Sequence, residues 1–393
     1  MITNQSKIEK LIAELCPNGI ELKSIGEICQ INRGRVMSKD YLNENAGEYP
    51  VYSSQTADNG VFGRINTYDY DGEYITWTTD GAYAGSIFYR NGKFSITNVC
   101  GLLKAKDRNV NMKFLSYILA TLSKKYVSAG MGNPKIMSNV MEKIKIPIPP
   151  LPVQQEIVKI LDSFTELEAE LEAELEARKK QYEHYRDDLL NIKDVEYKTL
   201  GEVTFSTQNI KWKEIDKIYK YIDLTSVSRD DHSINETVEI NSNNAPSRAQ
   251  KLIQKDDVIF ATTRPTLRRY TLIDDVYDGQ IASTGYCVLR ADEKKVLPKW
   301  IYFNIASSRF NDYVEQKQEG SAYPSISDAK VKEFKIPIPL LPEQKRIVSI
   351  LDKFDALVND ISIGLPAELK ARRSQYEYYR GKLLTFKEKE YAK

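Results

Sequence analysis

The sequence predicts an α+β protein built twice over: two β-rich domains joined by two long antiparallel helices, in a pseudo-twofold arrangement that closes on itself. Three observations carry this. The sentence IPIPPLPVQQEIVKILDSF at Ile146–Phe164 returns as IPIPLLPEQKRIVSILDKF at Ile336–Phe354. A second sentence, ARKKQYEHYRDDLL at Ala177–Leu190, returns as ARRSQYEYYRGKLL at Ala371–Leu384. Finally, LLTFKEKEY at Leu383–Tyr391 matches LLNIKDVEY at Leu189–Tyr197, and the chain beyond Tyr197 is matched by the chain from Leu22, so the repeat reads as a cycle whose termini lie close together.

In chain order, Ile8, Leu11, Ile12 and Leu15 recur at helical spacing and stop at Pro17-Asn18-Gly19, which predicts a short amphipathic helix. From Leu22 to about Lys106 the texture changes to short apolar runs: Tyr49–Tyr52, Glu73–Thr78 and Gly85–Tyr89. These are expected strands, with turns at Asn59-Gly60, Asp71-Gly72, Asp80-Gly81 and Asn91-Gly92. A helix is expected at Met112–Ser123.

The alternating Ile146-Pro147-Ile148-Pro149 is extended, because each proline lacks a donor and pushes its predecessor out of the helical region. Pro152 then sits where a first helical turn tolerates proline, and Ile157, Val158, Ile160, Leu161 and Phe164 come after it at helical period. One helix to about Leu190 would span roughly 58 Å at about 1.5 Å per residue. Phe164, Leu167, Leu171, Leu175, Arg178, Tyr182, Tyr185 and Leu189 form a coiled-coil seam along it, and Glu174–Arg178 and Glu176–Lys180 support it locally.

The second copy repeats this order with different words. Strands are expected around Tyr219–Thr225, Asp257–Thr263, Arg269–Ile273 and Gly285–Arg290, coil at Ile240–Arg248, and a helix at Lys299–Ser308. Its long helix is interrupted by Gly364-Leu365-Pro366, giving two pieces, Ile347–Ile361 and Ala367–Leu384, which supply the partner for the first seam. Fainter matches (Leu22–Glu27 with Tyr197–Glu202, and Gly130, Pro134 and Ile136 with Gly320, Pro324 and Ile326) extend the repeat. The offset grows from 175 at Leu22/Tyr197 to 194 at Ala177/Ala371, so insertions accumulate inside the second copy. The implied domains are residues 1–146, with the short N-terminal helix, a helical region 147–196, a second β-rich domain 197–336 and a second helical region 337–393.

Lys plus Arg is 56 against 55 acidic residues, so total charge decides nothing about nucleic acid; but glutamate is concentrated in the first long helix, leaving the rest relatively basic. Cys16, Cys29, Cys100 and Cys287 are far apart and form no CxxC pair, as in a reduced, cytoplasmic protein. No apolar run is long enough for a membrane span and no signal segment is evident.

Covalent chemistry lacks its residues. His184 and His232 are the only histidines, each alone, which removes histidine catalysis and histidine metal sites. There is no GxxxxGK(S/T) phosphate loop, no GxGxxG after a strand and no Asn-Pro-Pro-aromatic or Asp-Pro-Pro-aromatic tetrad of an amino-methyltransferase. Asp256-Asp257 and Asp274-Asp275 read as solvated turn charges.

What the β-rich domains do carry is amide-rich, basic loop chemistry among aromatics. In the first domain these are Arg33, Arg35, Ser53, Ser54, Gln55, Thr78, Thr79 and Tyr83; in the second, Thr207, Gln208, Lys211, Arg248, Gln250, Thr262, Thr263, Arg264, Arg268 and Arg269. Arginine against guanine and glutamine against adenine discriminate base edges, while Ser, Thr and Lys suit phosphates. Ordinary loop polarity is the competing reading for any one of them, and the Thr262–Tyr270 cluster favours DNA. The residues alone also leave open a stand-alone modification or restriction enzyme, against which the missing motifs argue, and a coiled-coil interaction protein, which would leave two β-rich domains unexplained.

The IPIPxLPxQxxIVxILDxF sentence, the QYExYR sentence, the duplicated layout and DGAYAGSIFYRNGKF of the first copy resemble the specificity subunit of type I restriction-modification enzymes over essentially the whole chain. The resemblance implies a non-catalytic DNA-binding subunit. Two target-recognition domains would each read half of a bipartite double-stranded target, and two conserved helices would set the gap. The helices would dock two methyltransferase subunits, to which restriction and translocation subunits attach. For docking it points to Ile157, Ile160, Leu161, Tyr182, Tyr185, Ile347, Ile350, Leu351, Tyr376 and Tyr379. S-adenosylmethionine, ATP and magnesium would belong to those partners, with no cofactor or metal in this chain. Related subunits carry short in-frame helix repeats that tune the spacer, as the period Leu167-Glu-Ala-Glu, Leu171-Glu-Ala-Glu, Leu175-Glu-Ala would here. Four residues advance a helix about 6 Å and turn it about 40° past a full turn, so one more block is expected to lengthen the gap by about one base pair.

Overall fold

A computed structural model of the chain describes residues 6–128, 132–214, 217–360 and 363–389. The chain divides into two compact units, Met1–Leu167 with Ser374–Lys393, and Glu168–Arg373.

Unit 1 opens with the predicted helix, Lys7–Leu15, started by a reciprocal Ser6/Glu9 capping box. Eight strands come next: β1 Leu22–Ser24, β2 Cys29–Arg33, β3 Ala46–Tyr52, β4 Val61–Ile65, β5 Tyr70–Thr78, β6 Ile87–Ile96, β7 Cys100–Ala105 and β8 Lys145–Pro147. Six form one sheet in the order β2-β7-β5-β6-β3-β4, antiparallel except for β3 beside β6, while β1 pairs with β8. The helix Met112–Leu122 covers the sheet, and Ile75, Trp77, Leu103, Phe114, Leu115 and Leu119 form the core with Ile146, Val153, Ile157 and Leu161 of the repeated sentence.

Two expected turns are not turns. Asp71-Gly72 lies inside β5 and Asn91-Gly92 inside β6, and Gly72 faces Gly92 in an unbroken register from Tyr70↔Phe94 to Trp77↔Ile87. Both glycines have positive φ, +116° and +98°. The local Asp-Gly and Asn-Gly signal is outweighed there by the cross-strand register. The chain reverses later, through Asp80-Gly81.

Unit 2 keeps the frame and changes the filling. β9 Tyr197–Thr199 pairs with β18 Lys335–Pro337 as β1 does with β8. Between them are β10 Thr204–Phe205, β11 Tyr219–Ile222, β12 Val238–Ile240, β13 Ala249–Leu252, β14 Val258–Ala261, β15 Tyr270–Leu272, β16 Ile281–Ser283 and β17 Tyr286–Ala291. Instead of one six-stranded sheet they make two four-stranded ones, β10-β17-β14-β15 and β12-β11-β16-β13. The predicted helix runs Pro298–Ala306 and is succeeded by a second, Ser308–Lys317, that the sequence did not announce.

Asp257, read as a solvated turn charge, is wholly buried and receives both Nε (2.8 Å) and Nη2 (2.7 Å) of Arg290 as well as the Gln254 amide. The buried carboxylate is tolerable because every oxygen is engaged. Asp274 instead caps a short turn through the Val276 amide, and Asp275 pairs with Lys255 at the surface.

The repeated sentence has one physical purpose in both units. Gln154 and Gln344 are wholly buried in the first turn of their helices. Gln154 accepts from the Asn111 amide and donates to the Asn109 and Pro149 carbonyls; Gln344 accepts from the Leu297 amide and donates to the Lys295 and Pro339 carbonyls. One buried side chain thus satisfies three backbone groups where the extended Ile-Pro lead-in cannot. Ion pairs Lys113–Asp162 (2.8 Å) and Lys299–Asp352 (2.7 Å) repeat beside them.

The first long helix is unbroken from Leu151 to Leu190, and the second is split into Leu341–Asn359 and Leu365–Leu383 as Gly364-Leu365-Pro366 predicts; Ile361, where the first piece was expected to end, lies outside the described residues. In unit 2 the segments pair antiparallel: Arg373 bridges Glu168 and Glu172, Tyr182 donates to Asp355 (3.1 Å), and Tyr185 stacks on Phe354. In unit 1 Phe164 packs on Tyr376 and Tyr379.

Candidate nucleic-acid interface

In each unit the loop after a central strand is zipped to the loop preceding the repeated sentence. In unit 1 the Gly81 amide donates to the Pro134 carbonyl (3.0 Å) and the Ile136 amide to the Thr79 carbonyl (2.9 Å). In unit 2 the Arg264 amide donates to Pro324 (2.7 Å) and the Ile326 amide to Thr262 (2.9 Å). Thr79, Asp80 and Gly81 therefore correspond to Thr262, Thr263 and Arg264. The last position is left-handed in both, with φ +91° at Gly81 and +48° at Arg264. Glycine meets that backbone without strain. An arginine there costs conformational energy and is held by the surrounding zipper, the kind of local strain that collects at functional sites.

The two zippers present different chemistry. In unit 1 glycine leaves the position bare, Tyr83 beside it is 60% exposed, and Met137 flanks it. Arg33 is tied beneath, donating to Thr79 Oγ1 (3.0 Å) and the Asn98 carbonyl (2.6 Å). In unit 2 exposed Arg264 lies over the ring of Tyr323 (4.9 Å), itself 72% exposed. This offers a cation and an aromatic face together.

The remaining candidate residues divide by engagement. Thr78, Thr79 and Thr262 are buried, with the Thr79 hydroxyl on the Val99 carbonyl (2.9 Å) and Thr262 on that of Gly285 (2.9 Å). Ser53 accepts from Thr97 (2.9 Å), Gln55 donates to the Val61 carbonyl, and Ser54 is half-buried. Arg35 is exposed but bridges Asp69 (3.2 Å) and Tyr41 (3.1 Å). Arg268 donates to the Ala306 carbonyl (2.7 Å), Arg269 to that of Val227, and half-buried Thr263 bridges to Ser325. Gln208, Lys211 and Arg248 are exposed around half-buried Thr207 and Gln250, and Gln250 donates to the Ser247 carbonyl (2.7 Å).

Among the docking candidates, Ile157, Leu161, Tyr182, Ile347 and Leu351 are buried inside their own units. Ile160, Ile350 and Tyr376 are half-buried, and Tyr185 and Tyr379 are 43% and 37% exposed.

Two residues with site-like surroundings had no signal in the sequence. Tyr323 is a single aromatic before the repeated Pro324. Arg90 is buried between the Tyr52 ring (3.5 Å) and the Phe88 ring (4.6 Å), donating to Thr76 and the Asn59 carbonyl; burial lowers the pKa of its guanidinium. Among the described residues no group of three His, Cys, Asp or Glu is arranged to hold a metal, and no helix is long and apolar enough to cross a membrane.

The sequence pattern of the family described as Type I restriction modification DNA specificity domain matches residues 17–177 and again 192–371. The chain belongs to this family. As a specificity subunit, it is the DNA-target-recognising, non-catalytic component of a type I system, and catalysis lies with partner subunits. It is 33% identical over 379 residues to a putative type I specificity subunit of Mycoplasma pneumoniae, covering 93% of this chain and 97% of that protein. A second from the same organism is 35% identical over 352 residues, covering 82% and 97%. The fold matches the crystal structure of a type I restriction-modification S subunit from M. genitalium with a TM-score of 0.55 at 15% identity, over 93% of this chain and 96% of that one.

Proposed function

We propose that each unit of this specificity subunit reads one half of a bipartite double-stranded DNA target, using its zipped loop pair as the reading edge. The observation that carries the reading is the Gly81/Arg264 correspondence: one backbone frame, left-handed at the same position, presenting a bare glycine beside Tyr83 in one unit and an arginine over Tyr323 in the other. A shared frame with exchanged side chains is what two readers of different half-sites require, since arginine on guanine edges is a strong discriminator.

The long helices set the interval between half-sites and dock two methyltransferase subunits, which carry the methyl donor; restriction subunits bring ATP and magnesium. Docking falls to the helix faces their own units leave open, around Tyr185 and Tyr379. The complex works in the cytoplasm, where its DNA is.

Single-molecule methylation sequencing of a methylation-free host tests this. With this chain and its methyltransferase partner, methyladenine should fall in one split motif, one adenine per half on opposite strands. With the partner alone it should be absent. Methylation at a continuous motif, or independent of this chain in an assembled complex, would overturn the reading.

A further inference from the structure

Unit 2 contains a cleft of about 250 Å³ that the recognition loops do not explain. Four cations from three elements line it: Lys179 and Arg186 on the first long helix, Arg229 on the loop before β12, and Arg268 after β14. Glu183, Asp230 and Asp355 are the acids on its wall, leaving the lining net cationic.

Two of its polar groups are buried without a hydrogen-bond partner. Arg186 is 2% exposed, and its Nε donates to Asp187 Oδ1 (3.0 Å). Its Nη2 is ion-paired with the same carboxylate oxygen at 2.9 Å but makes no directed hydrogen bond. The other is Nδ1 of His232, whose ring stacks on Tyr270 at 3.8 Å. A buried guanidinium donor left unmade is costly, and such gaps are normally filled by something that accepts.

The repeat supplies an independent comparison. The image of Arg186 in unit 1 is Arg380, which pairs with Glu377 and whose side chain is 26% exposed against 3% for Arg186. The image of Asp355 is Thr165. The shared frame therefore does not require this cleft; in unit 2 it is completed by the loop carrying Arg229 and His232.

We propose that the cleft is a phosphate site, in which one tetrahedral phosphate takes hydrogen bonds from Arg186, Arg229 and Arg268 and from His232 Nδ1–H. Donors arriving from three elements suit a tetrahedral oxyanion, which offers acceptors in several directions, better than a planar carboxylate, which is matched by a single fork. The phosphate comes either from the DNA backbone or from a free phosphate compound. In the first case the site deepens the DNA reading above and rests on it; in the second it stands without it.

The test uses the complex with its methyltransferase subunits, with Arg229→Gln, an exposed position that should fold normally, and Arg186→Gln. Orthophosphate titrated by calorimetry should bind the parent complex and bind either variant at least about tenfold more weakly. If the phosphate is the DNA's, Arg229→Gln also weakens DNA binding equally for cognate and non-cognate sequences and reduces the salt slope by about one, and saturating DNA blocks orthophosphate. If the source is free phosphate, orthophosphate binds alongside saturating DNA and DNA affinity is unchanged. The proposal is overturned if the variants alter neither orthophosphate binding nor the salt slope. Half-site selectivity, measured in parallel, reports on the recognition reading separately.

Discussion

The ring of Phe164 lies stacked on that of Tyr379, centroids 5.6 Å apart and planes 25° from parallel, and the repeat reproduces it: Phe354, the image of Phe164, stacks on Tyr185, the image of Tyr379, at 6.1 Å and 23°. The last residue of one repeated sentence meets the QYExYR sentence of the other, inside each unit. The two motifs are two halves of one contact. A double-mutant cycle on Phe164→Ala and Tyr379→Ala should therefore give a coupling of about 0.5–1.5 kcal/mol in unfolding experiments. The lower half of that range is expected, because Tyr379 is partly exposed. Additive single effects would show that the stack contributes nothing.

Replacing Gln344 by alanine strands the half-buried Leu297 amide and the Lys295 and Pro339 carbonyls. The expected loss is about 2–4 kcal/mol in denaturant unfolding, and Gln154→Ala should lose a similar amount. A change below about 0.5 kcal/mol would mean that water replaces the side chain.

Burial lowers the pKa of His232 to about 4, with Arg268 adding to the effect. The folded state thus binds fewer protons than the unfolded state between about 4 and the ordinary value near 6.5. Stability from the neutral ring is present above that window and declines as pH falls through it. Asp355 opposes this, since burial raises its pKa. His232→Asn, which tolerates the positive φ of +57°, should reduce the acid-side loss in urea unfolding at pH 7, 6, 5 and 4. Parallel curves for parent and variant would count against a neutral buried ring.

The Leu-Glu-Ala-Glu period places glutamates that are used: Glu168 and Glu172, one period apart, both pair with Arg373. Inserting one further block after Glu174 should lengthen the gap in the methylated motif by about one base pair with both half-sites retained, read from methylation sequencing. Altered half-sites with an unchanged gap would contradict the spacer role.

The helices and their lead-ins were legible because their signals are local: proline alternation, helical period and a Gly-Leu-Pro break act within a few residues. The division of unit 2 into two sheets was not. β12 and β13 are the short, half-polar runs Val-Glu-Ile and Ala-Gln-Lys-Leu, and only their pairing with distant β11 and β16 makes them strands. Asp257 looked solvated because its partner, Arg290, is 33 residues away. The match of Gly81 to Arg264 was hidden for a related reason. Its offset of 183 lies between the 175 of Leu22/Tyr197 and the 190 of Ile146/Ile336, so insertions break the register on both sides, and only the zipped backbone restores it.

The most direct measurement of the central claim is a methylation map of the Arg264→Gly subunit with its methyltransferase partner. This substitution gives unit 2 the residue unit 1 has at the same left-handed position, so it removes the side chain without adding strain. The expected result is relaxed base preference in one half-site, worth about 1–3 kcal/mol of discrimination, with the other half-site and the gap intact. An unchanged motif, or loss of preference in both halves at once, would contradict it.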